Sequence, residues 1–95
     1  MKFELEKATD SQHKWTGVFT DDDGKETRVS FGHKSYEDYT QHGNRFRRSM
    51  YLMRHRKNEN WYDPQSRGAL SRWILWETPN LQINVRRFKQ RFNLS

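Results

Sequence analysis

Hydrophobic and charged residues alternate at the start of the chain, where Phe3 and Leu5 stand between charged neighbours. In an extended strand, such alternation places every second side chain on the same face. Comparable spacing of apolar residues recurs twice more. The pattern therefore predicts three short strands, at residues 2–8, 14–20 and 27–32.

The link between the second and third strands is the acidic run DDDGK at residues 21–25. Aspartate and glycine tolerate the positive φ angles that tight hairpins require. No further acidic residues follow at the spacing of a calcium loop, so the run indicates a turn rather than a metal site. We expect the three strands to form an antiparallel meander.

The spacing of apolar residues becomes helical after the third strand. Ser35 followed by Asp38 fits a capping box, which predicts that a short helix begins at Ser35. Gly43 is typical of a helix C-terminus, and Asn44 of the N-cap of the next helix, predicted over about residues 45–57. The apolar stripe expected on this second helix consists of Phe46, Met50 and Met53.

Two more helices are predicted in the last third of the chain, with almost no loop between them. Ser66 is a suitable N-cap for a third helix that runs to about Glu77. Thr78 as N-cap and Pro79 at the first helical position then predict a fourth helix over residues 79–92. The apolar face of this fourth helix consists of Leu81, Val85, Phe88 and Phe92.

The third helix is apolar on nearly every side. Leu70, Trp73 and Ile74 share a face, which indicates that the helix is buried between the sheet and the other helices. For Leu75 and Trp76 two alternatives stay open. Both residues belong to the core, or they form a homodimer patch, because a small domain seldom encloses every side of such a helix.

Together these elements predict an α+β fold, a three-stranded antiparallel meander followed by three to four short helices. At 95 residues, the chain has the length of one small domain, 1–95. Residues 1–33 are expected to form the meander and 34–95 a basic helical part.

Charge is distributed unevenly between these two parts. Residues 1–39 contain six Lys/Arg and nine Asp/Glu, whereas residues 40–95 contain twelve Lys/Arg and three Asp/Glu. Such segregation favours a polyanionic partner, and arginine grips phosphate with two donors at once. The predicted partner is double-stranded DNA, bound through its phosphates with little reading of sequence. The candidate nucleic-acid-binding residues are Arg45, Arg47, Arg48, Arg54, Arg56, Lys57, Arg67, Arg72, Arg86, Arg87, Lys89 and Arg91.

Two aromatic residues in the turn before the third helix are candidates for stacking on bases. Trp61 and Tyr62 are flanked by basic residues, as in proteins that bind single strands. The alternative is a structural role, in which both side chains pack against the core. A weaker variant of DNA binding is a helix-turn-helix-like regulator built from the last two helices, in which Asn84 and Gln90 are the only evident amides for reading bases.

No combination of residues indicates an enzyme. The chain has no cysteine, and its four histidines do not form a metal-binding pair on a helix. We therefore expect no catalytic residues, metal, cofactor or small-molecule substrate. No apolar run is long enough for a membrane span and no signal peptide is evident, so a soluble intracellular protein is expected.

Three strings carry a resemblance to a known family: FGHKSYEDYTQHG, YLMRHRKNENWYDP and GALSRWILWETPNLQINVRRFKQRF. They resemble the shared core of small basic uncharacterised proteins encoded by giant DNA viruses of protists, with relatives in algae. The likeness covers about residues 31–92 and does not extend to the residues before about 27.

The resemblance implies a viral protein of the virion or of the infected host cell, in the viral factory or the nucleus. Because these viruses compact large double-stranded genomes, it also implies genome packaging or a chromatin-like organisation. The alternative is a structural, homodimeric interaction protein that contacts acidic protein partners in the virion.

Overall fold

The computed structural model describes residues 1–95 and contains three strands followed by a helical layer. The strands are β1 (Lys2–Lys7), β2 (His13–Thr20) and β3 (Glu26–His33). The α-helices are α1 (Tyr39–His42), α2 (Arg45–His55), α3 (Arg67–Leu70) and α4 (Leu81–Arg91), and α3 continues directly into a π-helical turn, Ser71–Leu75, called the π segment. The predicted α+β meander is confirmed. None of the helices has the length and hydrophobicity needed to cross a bilayer.

The sheet is antiparallel with the strand order β1-β2-β3, so each strand pairs with its neighbour in sequence. In its register Phe3 lies opposite Phe19, and Trp15 lies opposite Phe31. The side chains of Phe3, Phe19 and Phe31 are fully buried and face the helices. Alternation along the strands thus produces the apolar face that the sequence predicts.

The hairpin between β2 and β3 is built by Asp21, as the sequence predicts for this run. Its carboxylate accepts hydrogen bonds from the backbone N–H groups of Asp23 (3.0 Å) and Lys25 (2.9 Å). Gly24 has a φ of +82°, which a residue without a Cβ adopts freely.

A second glycine lets the helical layer approach the sheet. Gly32, in β3, has a φ of +75°, and a Cβ placed on it would lie 2.8 Å from Leu75. The side chain of Leu75 therefore packs where any other residue would protrude.

The first helix begins three residues later than predicted. Asp38, not Ser35, is its N-cap: the Asp38 side chain accepts from the Thr40 N–H, and Gln41 accepts from the Asp38 N–H (both 2.9 Å). Asp38 is buried and pairs with Lys14 of β2 at 2.8 Å, a contact between distant segments that fixes the helix start. The end of this helix at Gly43 and the N-cap at Asn44 are confirmed.

Helix α2 does not bury its predicted apolar stripe. Phe46 and Met53 are 73% and 62% exposed, whereas Tyr51 is buried and Leu52 packs against the core. The reason is a stacking contact: the Tyr51 ring lies parallel to that of Trp76, with centroids 4.2 Å apart. This contact turns the face that carries Phe46 outward.

The third helix is buried, as predicted, and Ser66 is its N-cap. Leu75 and Trp76, the candidate homodimer patch, are only 1% and 9% exposed. That interpretation is wrong, because the wider π segment directs four consecutive side chains, from Trp73 to Trp76, into the core.

Helix α4 begins at Leu81 with Asn80 as its N-cap, instead of Thr78 with Pro79. Thr78 is engaged elsewhere, since its hydroxyl and its N–H both donate to the side-chain oxygen of Asn84 (2.5 and 3.0 Å). Asn84 is fully buried, and its amide nitrogen donates to the carbonyl oxygens of Ile74 and Thr78, both at 2.8 Å. Asn84 therefore cannot read bases.

Candidate nucleic-acid interface

Three arginines from different parts of the helical layer converge on one carboxylate. Glu77, just after the π segment, accepts from Arg72 at 3.0 Å and from Arg48 of α2 at 3.3 Å. Arg87 of α4 lies 4.0 Å from its other oxygen. Arg48 also donates to the Trp76 carbonyl oxygen at 2.6 Å, so the backbone and Glu77 hold this guanidinium in place.

A second contact extends this cluster along α4. The guanidinium of Arg91 lies 3.7 Å from the ring centroid of Trp73, and that of Arg72 lies 4.1 Å from the same ring. Cations over an indole are stabilised by the negative ring face. Five arginines are joined by these contacts or by a cavity between α2 and α4, and we call them the arginine belt: Arg45, Arg48, Arg72, Arg87 and Arg91.

A small cavity opens where α2 meets α4. It has a volume of about 390 Å³ and is lined by Tyr39, Arg45, Arg48, Ser49, Glu77 and Arg87. Three guanidinium groups thus face a single carboxylate across an open space. An anion with several oxygens matches this arrangement, because arginine donates in a planar fork.

Arg72, the most buried arginine of the belt, remains a cation. Burial lowers the pKa of Arg72, and the hydrogen bond that Arg72 donates to Glu77 opposes that effect. Arginine ionises so far above neutrality that the group stays charged at physiological pH.

The other predicted basic residues lie in different surroundings. Arg47 pairs with Glu37 at 3.2 Å, and the Nε of Arg67 donates to the Ser30 carbonyl oxygen at 2.8 Å. The remaining five form no salt bridge: Arg54, Arg56, Lys57, Arg86 and Lys89.

On the sheet, by contrast, several positive charges are neutralised locally. Lys2 pairs with Glu4 at 2.8 Å, which raises the pKa of Lys2 and lowers that of Glu4. Arg28 pairs with both Glu6 and Glu26, and the hydrogen bond with Glu6 is the main cause of its raised pKa. The uncompensated positive charge therefore belongs mainly to the helical layer.

The two stacking candidates are placed differently. Trp61 is part-buried against the core, its Nε1 donates to Glu59 at 3.0 Å, and Arg72 lies over its ring. The interpretation of Trp61 as an open stacking surface is wrong, because each of its groups already has an intramolecular partner. Tyr62 is 77% exposed and remains accessible.

The structure also reveals a large groove that the sequence did not predict. It has a volume of about 1090 Å³ and is bordered by α2, the segment after β3, and the start of α3. We call it the groove. Its exposed rings are Phe46 and Tyr36. The only sequence signal for Phe46 is its place between arginines in the string RFRR.

His42 lies at the junction of α1 and α2 and gives this region a pH dependence. Its Nδ1 accepts from the Asn44 N–H at 2.9 Å, and its Nε2 is buried without a hydrogen-bond partner. Burial is the main reason that the pKa of His42 is lowered, with the charge of Arg47 second.

We expect the free energy of unfolding to fall as the pH drops below about 6.5, because the unfolded chain then binds a proton that folded His42 resists. The loss continues down to the lowered pKa of the folded state. Urea unfolding at pH 7.5 and 5.5 measures it. In His42→Phe, which keeps an aromatic ring next to Trp76, the fall should be smaller. Equal falls in the two proteins would exclude this role for His42.

Comparison with known proteins adds a family but no activity. No curated protein and no solved structure matches the chain significantly. A model of a family of unknown function, DUF5754, matches residues 3–55. This segment includes almost the whole sheet, from Phe3 onward, whereas residues 56–92 of the likeness expected from the sequence lie outside the match. Because the match spans more than half of the chain, the protein belongs to the family of unknown function DUF5754.

Proposed function

We propose that the protein binds double-stranded DNA through its phosphates, without catalysis and largely without sequence preference. The observation that carries this proposal is the cavity in which Arg45, Arg48 and Arg87 face Glu77. Three guanidinium groups from two helices line this cavity, and Glu77 is the only carboxylate among its lining residues.

The arginines of the belt suit a phosphate group better than they suit an acidic protein surface. Guanidinium groups bind two oxygens of a phosphate at once, and charge-assisted hydrogen bonds of this type are about twice as strong as neutral ones. Arg45 and Arg87 are exposed and can reach a ligand while Arg48 stays fixed by the Trp76 carbonyl. Arg86, exposed on the same helix as Arg87, adds a further contact.

Little sequence reading is expected from this surface. Contacts to phosphates position a protein on DNA but carry no base information. Because Asn84 is buried, Gln90 is the only one of the two candidate amides that could read bases in the helix-turn-helix-like alternative. Binding that depends on charge and not on bases is the simpler expectation.

The biological setting that we propose follows from the resemblance to small basic proteins of giant DNA viruses. In that setting the protein acts in the virion or in the infected cell, in the viral factory or the nucleus. Its work is genome packaging or chromatin-like organisation, which calls for abundant contacts to phosphates with little sequence preference.

The variant Arg45→Glu/Arg86→Glu/Arg87→Glu tests the proposal. Wild-type protein should bind an arbitrary 20-base-pair duplex with a log–log salt slope of about −4 to −6, as about five or six neutralised phosphates would give. The variant should bind at least 100-fold more weakly at low salt, because it loses three phosphate contacts and gains three repulsions. Fluorescence anisotropy with a labelled duplex at several salt concentrations measures both quantities.

A matched control changes the same amount of charge on and next to the sheet. Lys7, Lys25 and Lys34 are exposed and form no salt bridge, so Lys7→Glu/Lys25→Glu/Lys34→Glu lowers the net charge equally. It should keep most of the affinity. If both triple variants bind alike, or if wild-type protein does not bind the duplex, the belt is not a DNA site and acidic protein partners become the better hypothesis.

A further inference from the structure

The groove lies on the side of α2 opposite the arginine belt. Arg45 and Arg48 line the belt cavity, whereas Phe46 and Met50, offset by about half a helical turn from them, line the groove. The Arg47–Glu37 ion pair, at 3.2 Å, connects α2 with the segment after β3 at the border of the groove. The two surfaces are therefore distinct and can be altered separately.

Two aromatic rings of the groove are open to solvent. Phe46 is 73% exposed and Tyr36 is 72% exposed, although each would contribute substantially to stability if it were buried. The groove also contains a stack of rings, in which Tyr51 lies 4.2 Å from both Trp76 and His55. Flat ring surfaces are thus the main apolar feature that the groove offers.

The charges in the groove leave a positive excess. Two of its acidic groups pair with a cation, Glu37 with Arg47 and Asp38 with Lys14. The third, Glu59, accepts a hydrogen bond from Trp61 and contacts the His55 ring. Arg54 has no ion pair, and Arg67 uses only its Nε, on the Ser30 carbonyl oxygen. Two guanidinium groups remain available to an anionic ligand.

We propose that the groove binds a segment of single-stranded nucleic acid, with bases stacked on Phe46 and Tyr36 and phosphates bound by Arg54 and Arg67. Open aromatic rings beside arginines suit this ligand, because every base has a flat face and every nucleotide a phosphate. A duplex cannot use the groove in this way, since its bases are already stacked. The proposal goes beyond duplex binding by the belt and does not depend on it.

An acidic peptide fits the observations less well. An extended peptide would bind by adding a strand to the free edge of β3, and there the Ser30 carbonyl is already occupied by Arg67 at 2.8 Å. The volume of about 1090 Å³ is near the upper end of ordinary ligand sites, about 300–1,000 Å³, and can hold more than one base.

The test uses the full chain and labelled oligonucleotides of ten dT or ten U nucleotides. A third oligomer of the same length is abasic, with the same phosphates but no bases. In Tyr36→Ala/Phe46→Ala the affinity for both oligomers should fall on the order of tenfold or more per ring, while duplex affinity stays unchanged. The abasic oligomer should bind wild-type protein as weakly as dT binds the variant. A preference between ten-nucleotide oligomers of dU and U, which differ only in the 2′-hydroxyl, would assign DNA or RNA as the source.

The control is Met53→Ala, which removes an apolar side chain of α2 that is 62% exposed and does not line the groove, and it should change nothing. Arg54→Gln should weaken dT binding more than duplex binding, because Arg54 lines the groove and not the belt cavity. The proposal is overturned if the abasic oligomer binds as well as dT, or if Tyr36→Ala/Phe46→Ala keeps full affinity. It is also overturned if only a mixed glutamate–phenylalanine peptide binds. Failure of the belt triple variant to affect duplex binding would instead count against the belt alone.

Discussion

Replacing Asn84 by leucine is expected to lower the free energy of unfolding by about 3–5 kcal/mol, because each buried polar group left without a partner costs about 1–3 kcal/mol. Four hydrogen bonds disappear together: two that Asn84 donates to the Ile74 and Thr78 carbonyls, and two that it accepts from Thr78. Leucine fills a similar volume, so the loss is polar and not a cavity effect. Thermal unfolding should show a fall in Tm on the order of 15–30 °C.

A second asparagine on the same helix supplies the control. Asn80 is an exposed N-cap whose side chain accepts one backbone hydrogen bond, from Ile83 at 3.0 Å. Asn80→Ala should cost about 1 kcal/mol, the usual value for a lost cap. If the two substitutions cost the same, the Asn84 network does not hold the π segment and α4 together in the way its geometry indicates.

Local chemistry was enough to predict the strands and most helix caps. The turn at Asp21, the caps at Asn44 and Ser66 and the end of α1 at Gly43 all depend on residues within a few positions of each other. Each is a side-chain or backbone preference that acts within a single turn. The three strands and their antiparallel order follow from alternation and short connections.

The errors share a different cause, since each depends on a contact between distant segments. Asp38, and not Ser35, is the N-cap of α1, and Lys14 on β2 holds its carboxylate in place. Phe46 is exposed because Tyr51 stacks on Trp76. The π segment ends where the buried amide of Asn84 reaches the Ile74 carbonyl. No helical periodicity contains such information.

The candidate site was predictable as a set of charges but not as an arrangement. Counting charge identified all of the basic residues of the helical part, yet it could not separate Arg72, held over Trp73 and bonded to Glu77, from Arg86, which is exposed and free of salt bridges. Glu77 in particular had no predicted role. The structure shows that it is the acidic centre of the belt.

Replacing Glu77 by glutamine is therefore expected to destabilise the protein by about 1–3 kcal/mol, between the values for a broken exposed and a broken buried ion pair, because the three side chains are partly exposed and glutamine keeps one oxygen acceptor. Arg72 and Arg48 are largely shielded from water, so both would keep a charge with no carboxylate nearby. Urea unfolding at low ionic strength measures the loss. The net charge rises at the same time, which should strengthen duplex binding by the folded fraction.

The same variant reveals whether the belt is a receptor for phosphate. Glu77 occupies the position that an anionic ligand would take between Arg48 and Arg72, so inorganic phosphate should raise the Tm of Glu77→Gln more than that of wild-type protein. Chloride at equal ionic strength should not have this effect, because it has no oxygens for the arginine forks. Equal stabilisation of both proteins by phosphate would mean that the carboxylate and the ligand do not compete. The belt would then hold Glu77 purely as part of the fold, and the DNA contacts would have to come from the exposed arginines alone.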